Sequence, residues 1–372
     1  FNAGSGSLAG SVTISDLEMR GGSISTLFGK LTLIGTSFWT EGDLDGTNGF
    51  QNDGTLVILG IGGKVLQRGS LLVNEGTVFQ SQGGLYRVEH DAVIENRSGA
   101  TYEMQSGSQI ARESVAGGTL LPQFVNEGLL KKTGPGQASF NDQMELNNQG
   151  GTVEVTEGNF VLGGGGLSTG GQIIVADGAK LEMRNSRAFE LSGTHILSGT
   201  GTWQITGNNV RVASGQTSII AGTEGTLEVT NIGILRGGPG TLEVNLTDDG
   251  LLKATGGEVG TGLINGGNFE WNGGRIIGDG GVVNRANMTI TEDNGKLVER
   301  TGELTNDAGG TITQLTGSHF IVEQQAQIHN MPGATYDIQG TAQISRGFFN
   351  GSLPMPQFVN EGLLKKTGPG QA

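Results

Sequence analysis

The sequence predicts an all-β chain, a single-stranded right-handed parallel β-helix (a β-solenoid) with coils of about 22 residues. Three observations lead there. Glycine supplies 70 of the 372 residues, short alternating apolar–polar runs recur throughout, and the chain repeats itself.

The glycine has no G-X-Y period, so collagen is excluded. The frequent Val, Ile and Leu in short runs exclude a disordered linker. A fold that turns every few residues uses glycine in this way, because glycine reaches positive φ without a steric penalty. No long segment carries apolar residues at i, i+3, i+4 and i+7. Instead Thr152-Val153-Glu154-Val155, Thr226-Leu227-Glu228-Val229, Thr241-Leu242-Glu243-Val244 and Met288-Thr289-Ile290 have the period of two that marks short strands with one buried face.

The repeat is long and nearly verbatim. Residues 122–138 read PQFVNEGLLKKTGPGQA, and residues 356–372 read the same, 234 positions on. The match extends backwards through Ala100-Thr101-Tyr102 and Ala334-Thr335-Tyr336. Further back the offset becomes 232, where Trp39 faces Trp271 and Asn52 faces Asn284. The chain therefore reads as one continuous solenoid over 1–372. It holds a partial first module (1–138) and a second module of about 234 residues (139–372).

Within the module, asparagine-containing turns recur at Asn52, Asn74, Asn96, Asn126 and Asn148, and again at Asn284, Asn306, Asn330 and Asn360. Most steps are 22 residues, which fits one coil of three short strands and three turns. Single coils cannot bury an apolar face, but stacked coils bury a continuous core and pair their backbones in parallel. Right-handed coiling follows from the handedness of parallel crossovers. Asparagine tolerates the left-handed conformation of a turn, and its amide can bond neighbouring backbone. Repeated at one place in successive coils, these amides are expected to stack as a ladder. The steps from Asn96 to Asn126 and from Asn330 to Asn360 are 30 residues. Their surplus is expected in projecting loops near 112–123 and 346–357, suited to lateral contact.

The asparagine–glycine turn before each strand, the WNGG turn at Trp271–Gly274 and the FVNEGLLKKTGPGQASF block at Phe124–Phe140 resemble the repeats of very large bacterial surface and secreted proteins. They are similar to the right-handed β-helix passengers of autotransporters and to filamentous-haemagglutinin-type adhesins. The resemblance covers nearly the whole chain as a pattern. It implies an extracellular or cell-surface structural or adhesive filament, such as a biofilm-matrix component. It carries over no catalytic residues.

The net charge is −14, which disfavours nucleic acid and anionic membranes as partners. There is no cysteine and no apolar run long enough to span a bilayer, so membrane insertion is not expected. No cofactor or catalytic group is expected, since no GxSxG, HExxH or P-loop spacing occurs and the four histidines are dispersed. Glu154 and Asp177 lie about one coil apart and are the carboxylates to watch for hydrolysis. The weak candidate for a Ca²⁺ loop is Asp43, Asp45 and Asn48, which lacks a downstream bidentate glutamate. Thr247-Asp248-Asp249-Gly250 and Glu292-Asp293-Asn294-Gly295 read as further acidic turns. Lys131-Lys132, repeated as Lys365-Lys366, reads as a salt link to the next coil or as a contact for acidic glycan. Trp39, Trp203 and Trp271 read as packing residues or sugar platforms. Thr-x-Thr stretches do not recur on every coil, which argues against an ice-binding face.

The resulting expectation is a fibre protein that self-associates head to tail or laterally, with surface glycans as a further partner. The alternative is a carbohydrate-binding or polysaccharide-cleaving β-helix. The sequence starts and stops within the repeat, so a longer chain or a head-to-tail fibre is expected, with any export signal outside these residues. Because the calcium pattern does not survive comparison between the copies, adding EDTA should leave the thermal midpoint within about a degree. A drop of several degrees would assign the acidic turns a metal.

Overall fold

The structure is a computed structural model. It describes residues 5–371 apart from 82, 114–119, 142, 185–186, 208, 222–223, 231–232, 239, 247–249, 292–294 and 348–353. The acidic turns at 247–249 and 292–294, and the tips of both expected loops, lie outside the described residues. The chain forms two compact units, Phe1–Arg187 and Ala188–Ala372. The junction of the sequence modules at 138/139 falls inside the first.

Each unit is a parallel β-solenoid with coils of about 22 residues. One coil of the first unit runs Leu71–Asn74, Thr77–Gln80 and Leu85–Val88, and the next begins at Val93–Asn96. These strands define a first, second and third face. Each pairs in parallel with its counterpart one coil on. Leu71 faces Val93, Thr77 faces Thr101, and Leu85 faces Gln109. The second unit repeats the scheme, with Glu303–Asn306, Thr311–Gln314 and His319–Val322 pairing to Gln327–Asn330, Thr335–Gln339 and Gln343–Arg346.

The alternation read from sequence decides which side chains enter. In Thr152–Val155, the two valines are buried and Thr152 and Glu154 face outward. Burying a side chain of this kind contributes roughly 1.5–3 kcal/mol, and every coil repeats the gain. The interior also stacks aromatic rings. Tyr102, Phe124, Phe140 and Phe160 form a run with successive centroids 5.0–5.4 Å apart. Trp39, Trp203 and Trp271 are all buried, so they pack and do not present sugar platforms. Trp39 donates its indole N–H to the Gly42 carbonyl at 3.0 Å.

The turn from first to second face is two residues long. Both N–H groups of Glu75-Gly76 donate to the Asn52 carbonyl of the preceding coil, at 2.8 and 2.9 Å. Gly76 is needed there for space: a Cβ would lie 2.2 Å from the Gly54 carbonyl oxygen. The asparagines do not supply the left-handed turn conformation expected of them. They end extended strands, and positive φ falls mainly on glycine, with Asp91, Gln143, Thr261, Arg300 and Gln324 as the described non-glycine cases.

One inward column of the second unit changes chemistry along its length. His195 faces Ile219, Ile219 faces Val244, and Val244 faces Asn265, where the asparagines resume. Burial pulls the His195 imidazole down to about 4, opposed by a hydrogen bond to the Ser218 backbone that favours the charged ring. A lowered folded-state value makes the neutral ring a stabilising feature above pH 6.5, lost as pH falls towards 4. The second unit should therefore lose on the order of 3 kcal/mol through this group on acidification. The difference in denaturant midpoint between wild type and His195→Asn should shift against wild type between pH 7 and 4.5. A constant difference between the two proteins would contradict this.

Candidate functional site: the amide ladder and the outward columns

The predicted asparagines come together in two ladders. In the first unit each Nδ2 donates to the Oδ1 of the next coil: Asn52 to Asn74, Asn74 to Asn96, Asn96 to Asn126 and Asn126 to Asn148, all at 2.8 Å. Asn148 then donates to Ser168 Oγ at 3.3 Å. The second unit runs Asn265, Asn284, Asn306, Asn330 and Asn360, at 2.7–2.8 Å. The remaining amide hydrogen reaches a carbonyl of the second face, as Asn74 does with Thr101 at 2.9 Å. Sequence reading missed Asn265, because its coil takes 19 residues and breaks the 22-residue count. The first ladder starts at Asn52 because Leu33 holds the preceding position, and Asn52 Oδ1 is left without a partner.

A second buried polar device recurs at the module offset. Gln80 donates to the carbonyls of Gly84 and Gln109, at 2.6 and 2.9 Å, and accepts from the Tyr102 hydroxyl at 3.3 Å. Gln314 does the same with Ser318, Gln343 and Tyr336. Burial pushes both tyrosine hydroxyls well up, so they remain neutral donors.

Inward lysines form a third device that the sequence did not disclose. The Lys64 ammonium is held by the carbonyls of Thr40, Leu59, Gly60 and Gly62 at 2.8–3.2 Å. Burial lowers its pKa to about 8, opposed by the charge of Glu41. Lys296, its counterpart in the second copy, is also buried. In the lysine pair singled out above, Lys132 is of this kind. It points inward, bonding the Gly134 and Glu157 carbonyls, and burial lowers its pKa. Only Lys131 faces out, 3.4 Å from Glu154 of the next coil. Lys365 likewise pairs with Asp337 at 3.4 Å. This is the salt link to a neighbouring coil.

The other candidates are scattered. Glu154 is engaged by Lys131, and Asp177 is exposed in the turn after Gly171–Val175. Asp43 accepts from Gln67 Nε2 at 2.9 Å, and Asn48 donates to the Leu27 carbonyl at 2.5 Å. Asp45 lies two residues beyond Asp43 on the same strand. Among the described residues no three His, Cys, Asp or Glu side chains gather as a metal site. His90 lies 3.1 Å from the Leu120 carbonyl and within 3.0 Å of Arg112, at the base of the longer coil. An in-register threonine column does exist, Thr36–Thr55–Thr77–Thr101. Its outward neighbours are Phe38, Val57, Phe79 and Glu103, so no paired threonine array forms.

Comparison with known proteins finds no matching family model, curated protein or solved structure.

The ladder makes a sharp stability prediction. Asn126→Ala removes one rung and leaves the Asn96 donor and the Asn148 acceptor buried without each other's bridge. The loss should be roughly 1–3 kcal/mol, read as a lower guanidinium midpoint with unchanged strand content. An unchanged midpoint would show that the amides contribute nothing net.

Proposed function

We propose that this chain is part of an extracellular structural and adhesive β-solenoid fibre, forming filaments at a cell surface or in a biofilm matrix. The observation that carries this reading is what the two copies keep in common. The ladder amides, the Gln–Tyr pairs, the caged lysines and the buried tryptophans recur at offsets of 232–234 residues. All of them hold coil to coil, and none of them is presented to a substrate.

The outward columns fit the same role. Glu103, Lys131 and Glu154 follow one another in register, as do Glu228, Lys253 and Glu270. Exposed ion pairs of this kind contribute about 0–1 kcal/mol each. Their alternation opposes a slip of one coil against the next, since like charges would then meet. The backbone N–H and C=O groups at any open strand edge favour pairing with a further coil, which supports head-to-tail growth. Side-by-side contact through the longer coils is the second mode of association.

The reading is tested by imaging the native material together with fibre diffraction. Long unbranched filaments with an axial reflection near 4.8 Å are expected. Uniform short particles, monomeric by light scattering at every concentration tried, would overturn it.

A further inference from the structure

At one corner the two copies differ in a way that changes its chemistry. In the second unit the turns from third to first face line a groove of about 280 Å³, formed by Asp279, Thr301, Glu303, Gln325 and Gln327 and closed at one end by Pro354. The equivalent positions of the first copy, taken at the same offsets, are Thr47, Gly69, Leu71, Asp91, Val93 and Leu120. Every one differs, although the scaffold beneath is retained. Asn306 and Asn330 bridge under the groove as Asn74 and Asn96 do in the first copy. The second copy has therefore built a polar channel where the first has three aliphatic side chains.

The groove is arranged to recognise hydroxyl groups. Glu303 and Gln327 are in-register neighbours on adjacent coils, which puts them roughly 4.8 Å apart at the backbone. Thr305 donates to Glu303 Oε1 at 2.7 Å, which orients the carboxylate and leaves its other oxygen as an acceptor. His329 Nε2 lies 2.7 Å from Gln327 Oε1, so the amide N–H groups of Gln327 are turned away to donate elsewhere. A carboxylate beside a primary amide offers an acceptor and a donor side by side. Neighbouring hydroxyls of a sugar ring supply the matching donor and acceptor. Two successive turns flanking the groove hold non-glycine residues at positive φ, Arg300 and Gln324, a cost that persists only where the surrounding structure holds the backbone in place.

We propose that this groove binds a short run of uncharged polysaccharide lying along the stacking direction. It rests on the adhesive part of the proposed function and names the ligand class. Three turns and Pro354 span on the order of 10–15 Å at this coil spacing, enough for two or three rings. Asp279 and Glu303 repel an acidic glycan, and Arg300, the nearby cation, lies 3.9 Å from Glu299. None of the described residues lining the groove is aromatic; single-site affinity is expected in the roughly millimolar range, with useful adhesion coming from many copies.

The test uses the full chain and three hexasaccharides: β-1,4-linked glucose, β-1,4-linked xylose and, as the acidic control, α-1,4-linked galacturonate. Saturable millimolar binding of a neutral hexaose is expected by ligand-observed NMR. Glu303→Leu with Gln327→Val grafts the residues that the first copy carries on the same scaffold. It should weaken binding at least tenfold without moving the thermal midpoint. Should that pair unfold, Gln325→Asp, also a residue of the first copy, should still weaken binding. The reverse graft, Leu71→Glu with Val93→Gln, should raise the stoichiometry. Binding of neither neutral hexaose, preference for galacturonate, or full retention of binding by the grafted variants would overturn the proposal. Filaments seen by imaging in the absence of sugar binding would leave the fibre reading standing, so the two can fail separately.

Discussion

The structure depends on the in-register hydrogen bond between a buried amide and the same amide one coil away. Each ladder asparagine satisfies its neighbour, and each also reaches a carbonyl of the second face. A buried primary amide without partners is costly, so the column tolerates only the pairing that puts asparagine over asparagine. A slip of one residue would turn every inward side chain outward. The ladder thus turns a general tendency of strands to stack into one specified alignment, and the hydrophobic interior follows from it.

Coil length is free to vary because the alignment is fixed in this way. Adjacent ladder residues are separated by 19, 20, 22, 24 or 30 positions, yet the amide distances stay between 2.7 and 3.3 Å. The variation is taken up at corners, where backbone is solvated. The lysine cages serve the same corners from inside. At Lys64 three carbonyls of a glycine-rich turn and that of Thr40 on the preceding coil converge on one ammonium. The groove lies at a corner too, on a scaffold that does not change when the corner does.

Much of this was legible in the sequence, for a physical reason. Solenoid interactions connect residues about one coil apart, so spacing along the chain reports contact in space. Asn52 through Asn148 were found by counting. Where coil length changed, counting failed, and Asn265 was missed. The interruption by His195, Ile219 and Val244 was equally hidden, because nothing local marks them as members of the same column. Orientation was the other blind spot. Lys131 and Lys132 look like one basic pair, but the period of two sends one to Glu154 and the other into a carbonyl cage. The groove was invisible for the opposite reason. Its residues are ordinary polar ones scattered over about 75 positions, and only the corner brings them together.

The identical 17-residue blocks carry a genetic consequence. Asn126 and Asn360 sit in the same local sequence, each followed by Glu-Gly-Leu-Leu-Lys-Lys. An unequal crossover that deletes residues 127–360 would leave Asn126 followed by Glu361-Gly362-Leu363, the neighbours it already has. The amide from Asn96 would find its acceptor unchanged. The reciprocal product would gain a module with the same seamless junction. Length can then drift within a population by whole modules, without any intermediate that must fold with mismatched coils.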